Sequence, residues 1–257
     1  MSFPNELSEC AFQTTHQKSF QTPILSEQAI KKISHNISKI TIGSNSYLAT
    51  LNAVPKKRVY GENLFKINSN TEYRIWNIRR SKIGAMLIKK FNLPFKKDSK
   101  ILYIGAASGT TVSHLSDIVT DGVIYAVEFS NRPMRDLLKL SKMRPNIIPI
   151  LADASKVDSF AHIVETVDIV FQDIAQSNQA EIAAKSVKRF LKKDGILILS
   201  IKARSINAVE IPRKVYESEI SKLKNDFGIN FKILKKCELA PFHKDHIGIV
   251  AEIKIDK

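Results

Sequence analysis

Cysteine is almost missing from this chain: Cys10 and Cys237 are the only two in 257 residues. That excludes a disulfide framework and a cysteine zinc site, and a reducing compartment is expected. Glycine is also scarce, with nine residues in all, too few for a glycine-rich low-complexity arm. No apolar run approaches the roughly 18 residues that a membrane span requires. The opening MSFPNELSEC carries no basic segment and no apolar stretch, so a secretory signal is not expected. Acid is in deficit, 25 Asp+Glu against 40 Lys+Arg, leaving a formal net charge of +15. The expectation is a soluble intracellular protein with a real core, built as one large domain or one domain with an appendage.

The positive charge is concentrated. Residues 55–100 hold 13 basic and 3 acidic side chains, which is +10 of the total +15. A focused excess is the footprint of a polyanion partner, because each neutralised phosphate releases counterions. Scattered pairs such as Lys192–Lys193 fit a lysine-biased composition instead. The clustering favours nucleic acid.

Three stretches differ in pattern. Residues 1–34 are polar and aperiodic, and read as a poorly ordered arm with at best a short helix over 26–33. Residues 35–76 contain short β-like runs broken by Gly43, Asn45, Pro55 and Gly61, the mark of a small antiparallel β subdomain. From 77 to 257 the pattern is regular. A helical stretch over 78–91 precedes apolar runs at 101–105, 123–129, 146–151, 167–173 and 196–203. Helical patterns lie between and after them, near 111–119, 132–143, 155–165, 178–191 and 210–226. Alternating near-continuous Val/Ile/Leu strands with helices predicts a parallel sheet covered on both faces, hence an α/β fold. The last two runs, INFKILKKCEL and HIGIVAEIKI, have no helix between them and predict an antiparallel hairpin. A Rossmann-like sheet that ends this way has the outline of a class I methyltransferase.

Chemistry concentrates at strand ends. The first strand of this sheet runs into Gly105-Ala-Ala-Ser-Gly109-Thr110-Thr111, a glycine turn where backbone can approach a ligand closely. Glu128 ends the next strand, where a carboxylate can accept both hydroxyls of a ribose. The G-x-x-x-G spacing differs from the pyrophosphate-binding G-x-G-x-x-G, favouring a cofactor without phosphates over NAD; a turn serving chain reversal alone stays open. Asp153 and Asp173 end the following two strands, as ligand groups or as caps of the following helices. Lys202 emerges from the apolar ILILSIK run. Partial desolvation would lower its pKa and make a neutral amine available, unless the ammonium simply reaches solvent. Arg204, two residues on, would add positive charge beside it. His16, His35 and His162 read as surface residues, His114 as capping or packing, and His243 as a solvated loop histidine.

Together, YIGAASGTTVSHLSDIV, YAVEFSNRPMRDL, NIIPILADA, VDIVFQDIAQ, IKARSI and HKDH resemble fibrillarin, as do the upstream VYGE and EYRIWNIRRSK. The resemblance spans about residues 45–250. It implies an S-adenosyl-L-methionine-dependent ribose 2′-O-methyltransferase acting on rRNA, and on tRNA as a further substrate. Its implied partners are a box C/D guide RNA with its target, a Nop-type scaffold protein and a kink-turn-binding ribosomal-type protein. By position, Gly105, Gly109, Thr110 and Thr111 would face the cofactor's methionine end. Glu128 and Phe129 would hold ribose and adenine, with Asp153 and Ala154 at the base edge. Asp173, Ile174, Ala175 and Gln176 would line the sulfonium, and Lys82, Asp173, Lys202 and His246 would form the catalytic set. In that reading Lys202 is base or hydroxyl orienter, Asp173 positions Lys202, and Lys82 and His246 orient the nucleotide.

Three positions depart from the family pattern: Ile78 replaces the proline of WNP, and Ala240 and Phe242 replace Glu and Tyr before the final Asp-His. The missing Gly/Arg-rich arm resembles the archaeal form, implying a cytoplasmic protein, or a nucleolar one if the source is a reduced eukaryotic genome. The rival readings are a catalytically inactive RNA-binding scaffold, an NAD-dependent oxidoreductase, and a small-molecule or protein methyltransferase. Broken loop or catalytic residues would mark the first, the G-x-x-x-G spacing disfavours the second, and the basic segment disfavours the third.

Overall fold

The computed structural model describes Ser26 and residues 29–254. His16 and most of the expected arm lie outside the described residues. The chain first builds an antiparallel sheet from β1 (Ile30–Ser34), β2 (Ile37–Ile42), β3 (Asn45–Leu51), β4 (Leu64–Lys66) and β5 (Glu72–Ile75), in the order β1-β2-β3-β5-β4. Where the short helix is expected, residues 30–33 form strand. Ile30 instead pairs with Ile40 across a turn in which Asn36 takes φ 54°, and backbone pairing extends the sheet past the expected boundary.

Helix α1 (Lys82–Ile88) is shorter than the helical pattern over 78–91. Ser81 caps it, its Oγ accepting the Gly84 N–H at 3.2 Å, and residues 77–80 form a turn instead. Beyond it come β6 (Lys100–Ile104), α2 (Thr110–Ile118), β7 (Val123–Glu128), α3 (Asn131–Met143), β8 (Ile147–Leu151), β9 (Val167–Gln172) and α4 (Gln179–Phe190). The chain finishes with β10 (Leu191–Lys202), α5 (Ala203–Ile206), α6 (Pro212–Asn225), β11 (Phe231–Glu238) and β12 (His246–Ile253).

These seven strands form one sheet, β11-β12-β10-β9-β6-β7-β8, parallel from β10 to β8 and antiparallel at β10, β12 and β11. Side chains alternate across it. Leu102 and Ile104 join one core cluster, while Ile101 and Tyr103 join the other on the opposite face, all nearly inaccessible. The pattern over 155–165 is a single 3-10 turn, Val157–Ser159, not a helix. Val157, Phe160 and Val164 are nevertheless buried, so their helix-like spacing reflects burial rather than helical backbone. Among the described residues no helix is long and apolar enough to cross a membrane.

The two sheets are joined through buried charge. Asp117 of α2 is 0% exposed and accepts four hydrogen bonds: from Arg74 (2.8 Å), Arg144 (2.6 Å), the Thr50 hydroxyl (2.8 Å) and the Ala53 N–H (2.9 Å). Arg74, also 0% exposed, donates to Glu62 at 2.7 Å. Burial alone would raise the Glu62 pKa, but the Arg74 guanidinium and the Tyr60 and Val59 backbone N–H groups hold it below the usual value.

Breaking such a cluster from one side leaves charge stranded. Asp117→Ala is expected to cost about 3–5 kcal/mol, because two buried guanidiniums lose their counter-ion. Urea denaturation of the purified chain checks this; a loss under about 1 kcal/mol would contradict it.

Candidate active site

β6 pairs in parallel with both β7 and β9, which brings their carboxyl ends to one edge of the sheet. Gly105 leaves β6 with φ +87°, and a Cβ there would stand 2.2 Å from the Asp173 carbonyl oxygen. Only glycine lets the loop pass this close to the end of β9. Glu128 braces the same loop: one oxygen accepts the Ala107 N–H at 2.8 Å and the other the Ser130 N–H at 2.7 Å. Each oxygen keeps acceptor capacity for a ligand. Phe129 is 66% exposed, an aromatic face set at the mouth of the edge.

Asp153 is partly committed to its own turn. Its Oδ1 accepts the Ser155 N–H and hydroxyl, and these bonds lower its pKa. Ala154 is buried against the core, whereas Ala175 is exposed and Ile174 packs partly against it. Thr111 donates its hydroxyl to Ser81 Oγ at 2.9 Å, so the glycine loop is tied to the cap that starts α1. No side-chain hydrogen bond caps Thr110's end of α2.

Lys82, first residue of α1, places Nζ 3.1 Å from Asp173 Oδ2. Asp173 therefore pairs with Lys82, and the expected Asp173–Lys202 pairing is not formed. Neighbouring strand ends made that pairing plausible, but the N-terminus of α1 reaches the carboxylate instead. Lys202 and His246 face each other as register partners across β10 and β12. Among the described residues the Lys202 ammonium makes no ion pair. Its backbone is clamped by Gln179, which is 1% exposed. Gln179 Oε1 accepts the Lys202 N–H at 3.1 Å, and Nε2 donates to the Gln176 carbonyl at 2.9 Å. Arg204 does not bear on Lys202 from the strand: it lies in α5 and pairs with Asp245 at 3.3 Å.

The histidines divide sharply. His114 is 0% exposed, stacked on Trp76 at 4.7 Å between ring centres. The Thr50 hydroxyl gives its one proton to Asp117, so it accepts the His114 Nδ1–H at 2.8 Å. Burial, then the Arg74 and Arg144 charges, push the His114 pKa well below 6.5. His246 Nδ1 lies 2.6 Å from the Lys244 carbonyl and must donate to it, leaving Nε2 as an acceptor. Burial, with the Lys82 charge, lowers its pKa. His243 is not the solvated residue expected: it is half-buried, 3.0 Å from the Ile78 carbonyl and 5.9 Å ring to ring from His246. His35 is also half-buried, its Nε2 shielded from solvent, while His162 is exposed as expected.

Sequence reasoning missed Ser81, Gln179, His243 and Asp245. Only the Ser-x-x-Gly start of α1 and the Asp preceding His246 carried a local signal.

The residues from 29 to 255 match the family model described as Fibrillarin. The chain belongs to the fibrillarin family. A fibrillarin-like rRNA/tRNA 2′-O-methyltransferase of Methanosarcina mazei is 54% identical over 225 residues, covering 88% of this chain and 98% of that protein. A crystal structure of Aeropyrum pernix fibrillarin with natively bound S-adenosyl-L-methionine is 41% identical, with TM-score 0.77, covering 88% and 100% of the two chains. A fibrillarin/Nop5p complex matches at 42% identity and TM-score 0.76, covering 87% of this chain and 100% of that one.

His114, His243 and His246 all sit below the ordinary 6.5 when folded and regain it on unfolding. The unfolded chain then binds more protons as pH drops through about 6.5, so stability is full above that value and declines below it. The urea midpoint is expected to fall between pH 7.5 and 5.5, and less steeply in His114→Gln. A midpoint unchanged with pH would contradict the buried neutral imidazoles.

Proposed function

We propose that this chain is an S-adenosyl-L-methionine-dependent RNA ribose 2′-O-methyltransferase whose chemistry lies with Lys82, Asp173, Lys202 and His246. The observation that carries this reading is the 3.1 Å Lys82–Asp173 pair at the carboxyl edge of the sheet, beside a loop with no room for a Cβ at Gly105. The cofactor suits the residues present. Gly105 gives a cradle without a Cβ, Glu128 offers acceptor oxygens, and Phe129 offers an exposed ring for a purine base. Glu128 and Phe129 would hold adenosine, Asp153 the base edge, and Gly109, Thr110 and Thr111 the methionine end, with residues 173–176 beside the sulfonium.

When bound, the cofactor supplies an electrophilic methyl group. The chain's own work is positioning and proton handling, since the positive charge of the sulfonium is extinguished on transfer. Lys82 and Asp173 neutralise each other and keep a charged pair beside the methyl. Lys202, held at its backbone by Gln179, orients the 2′-hydroxyl as a donor. His246 is neutral near pH 7 with Nε2 unprotonated, and this nitrogen receives the hydroxyl proton.

RNA is held by charge rather than by a sequence-reading module. Part of the basic excess is already committed: Arg74 is buried as a counter-ion, and Lys97 and Lys100 pair at the surface with Asp121 and Glu165. Lys56, Lys57, Arg58, Arg79 and Arg80 remain exposed and form the face available to phosphate. Target choice then rests on pairing with a box C/D guide RNA, in a particle with a Nop-type scaffold protein and a kink-turn-binding protein. The likeness to the archaeal form favours work in the cytoplasm.

The test is tritium transfer by the chain alone and by the assembled particle, at matched salt. The chain alone is expected to methylate nothing and to lose RNA steeply with salt, and the particle to modify one nucleotide per guide duplex. Efficient site-selective methylation by the isolated chain would overturn the guided reading. Glu128→Ala should weaken cofactor binding by about 2 kcal/mol in calorimetry, the worth of a charged hydrogen-bond acceptor; unchanged affinity would move the cofactor elsewhere. Lys202→Ala should abolish transfer with cofactor affinity nearly intact, and near wild-type turnover would remove Lys202 from the mechanism.

A further inference from the structure

We infer that His243 is a positioning residue for Lys82, a strap that fixes the turn from which the lysine is aimed at Asp173. The inference rests on the proposed methyl-transfer site and adds a member to it.

The geometry begins at Asn77. Its carbonyl accepts the Arg80 N–H at 3.0 Å, and its Oδ1 accepts the Arg79 N–H at 3.0 Å, which closes a turn over residues 77–80. Ser81 follows as the α1 cap and Lys82 as its first residue. Any freedom in the turn is therefore transmitted to Lys82 within two residues. Ile78 occupies the second position of this turn, where proline is favoured because its ring presets φ. Isoleucine presets nothing. Moreover, the Ile78 N–H makes no hydrogen bond among the described residues, so nothing on its own amide restrains it.

His243 supplies the missing restraint from the other side. A carbonyl oxygen can only accept, so at 3.0 Å from the Ile78 oxygen His243 Nε2 must carry the hydrogen. The turn that Nε2 holds runs directly into the Ser81 cap. The other neighbour of His243 is the His246 ring at 5.9 Å and 59°. The charged and titratable groups around it are Lys82 on α1, Asp173 at the end of β9, and Lys244 and His246 in its own segment. Burial and the Lys82 charge keep the ring neutral near pH 7, so the strap adds no positive charge beside the lysine.

The consequence is a division of labour. Asp173 attracts the Lys82 ammonium, but attraction alone leaves the backbone behind it free to shift. The His243–Ile78 bond anchors that backbone to the loop that carries His246. Lys82 and His246 are thereby held in one frame, although they lie 164 positions apart in the chain.

The experiment compares four proteins in the assembled particle: wild type, His243→Phe, His243→Gln, and His243→Phe combined with Ile78→Pro. Phenylalanine keeps the bulk of the ring and removes the N–H; glutamine keeps a side-chain N–H. His243→Phe is expected to lower kcat roughly tenfold, the scale of a small misplacement of a reacting group, with KM for the cofactor and thermal midpoint near wild type. His243→Gln, or proline at 78 in the Phe background, should restore most of the rate, because either one re-fixes the turn. A wild-type rate in His243→Phe would overturn the inference. So would a loss that neither glutamine nor proline recovers, which would make the ring merely a packing element. Should His243→Phe fold poorly, the same rate and rescue are read in His243→Ala with and without Ile78→Pro. An inactive wild-type particle, by contrast, would refute the methyltransferase reading itself.

Discussion

The rest of the molecule hangs on one buried carboxylate. Asp117 satisfies two guanidiniums, a hydroxyl and a backbone N–H at once, all away from water. An ion buried on this scale is costly unless every partner is present, so the arrangement is all-or-none. It links α2, which starts at the glycine loop, to β3 and β5 of the first sheet through Thr50 and Arg74. It also closes over His114, whose ring carries Trp76. From Trp76 the chain has only six residues to reach Lys82, so the cluster anchors one end of the segment that leads to the site.

This explains what could and could not be read from sequence. Strands β6 to β10 were legible because both faces are buried, and near-continuous Val/Ile/Leu runs mean little else. Glu128, Asp173 and Lys202 were legible because each is polar at the end of such a run. Asp117 was not, since a single aspartate on a helix ordinarily faces solvent. A charge count assigns Arg74 to a surface for RNA, yet it is an internal counter-ion. Charge counts cannot distinguish the two, because the partner lies 43 positions away in α2. The helical spacing over 155–165 misled for a related reason: apolar periodicity reports which side chains are buried, and a turn can bury the same three as a helix.

The Asp173 pairing shows a different limit. Strand-end reasoning places Asp173 next to Lys202, since β9 and β10 are neighbours in the sheet. It cannot see a helix entering from outside that sheet. Lys82 arrives on α1, whose position depends on the Ser81 cap and on Thr111 reaching that cap from the glycine loop. The resemblance offers all four residues as candidates, and the geometry shows that Lys82 is the one that shares a charge with Asp173.

That choice has a chemical consequence. With Asp173 paired to Lys82, Lys202 has no carboxylate partner among the described residues, and His246 across the β10–β12 register stays neutral with a free acceptor nitrogen. The site thus brings together one fixed ion pair, one lysine and one imidazole with a free acceptor nitrogen, each carried by a different element. Each is held by a local contact: Lys82 through the cap that precedes it, Lys202 at its backbone by Gln179, and His246 at ring Nδ1 by the Lys244 carbonyl. A reaction that extinguishes charge gains little from a stronger field at the reacting atoms. It gains from groups that are already in place, and these contacts leave them little freedom to be elsewhere.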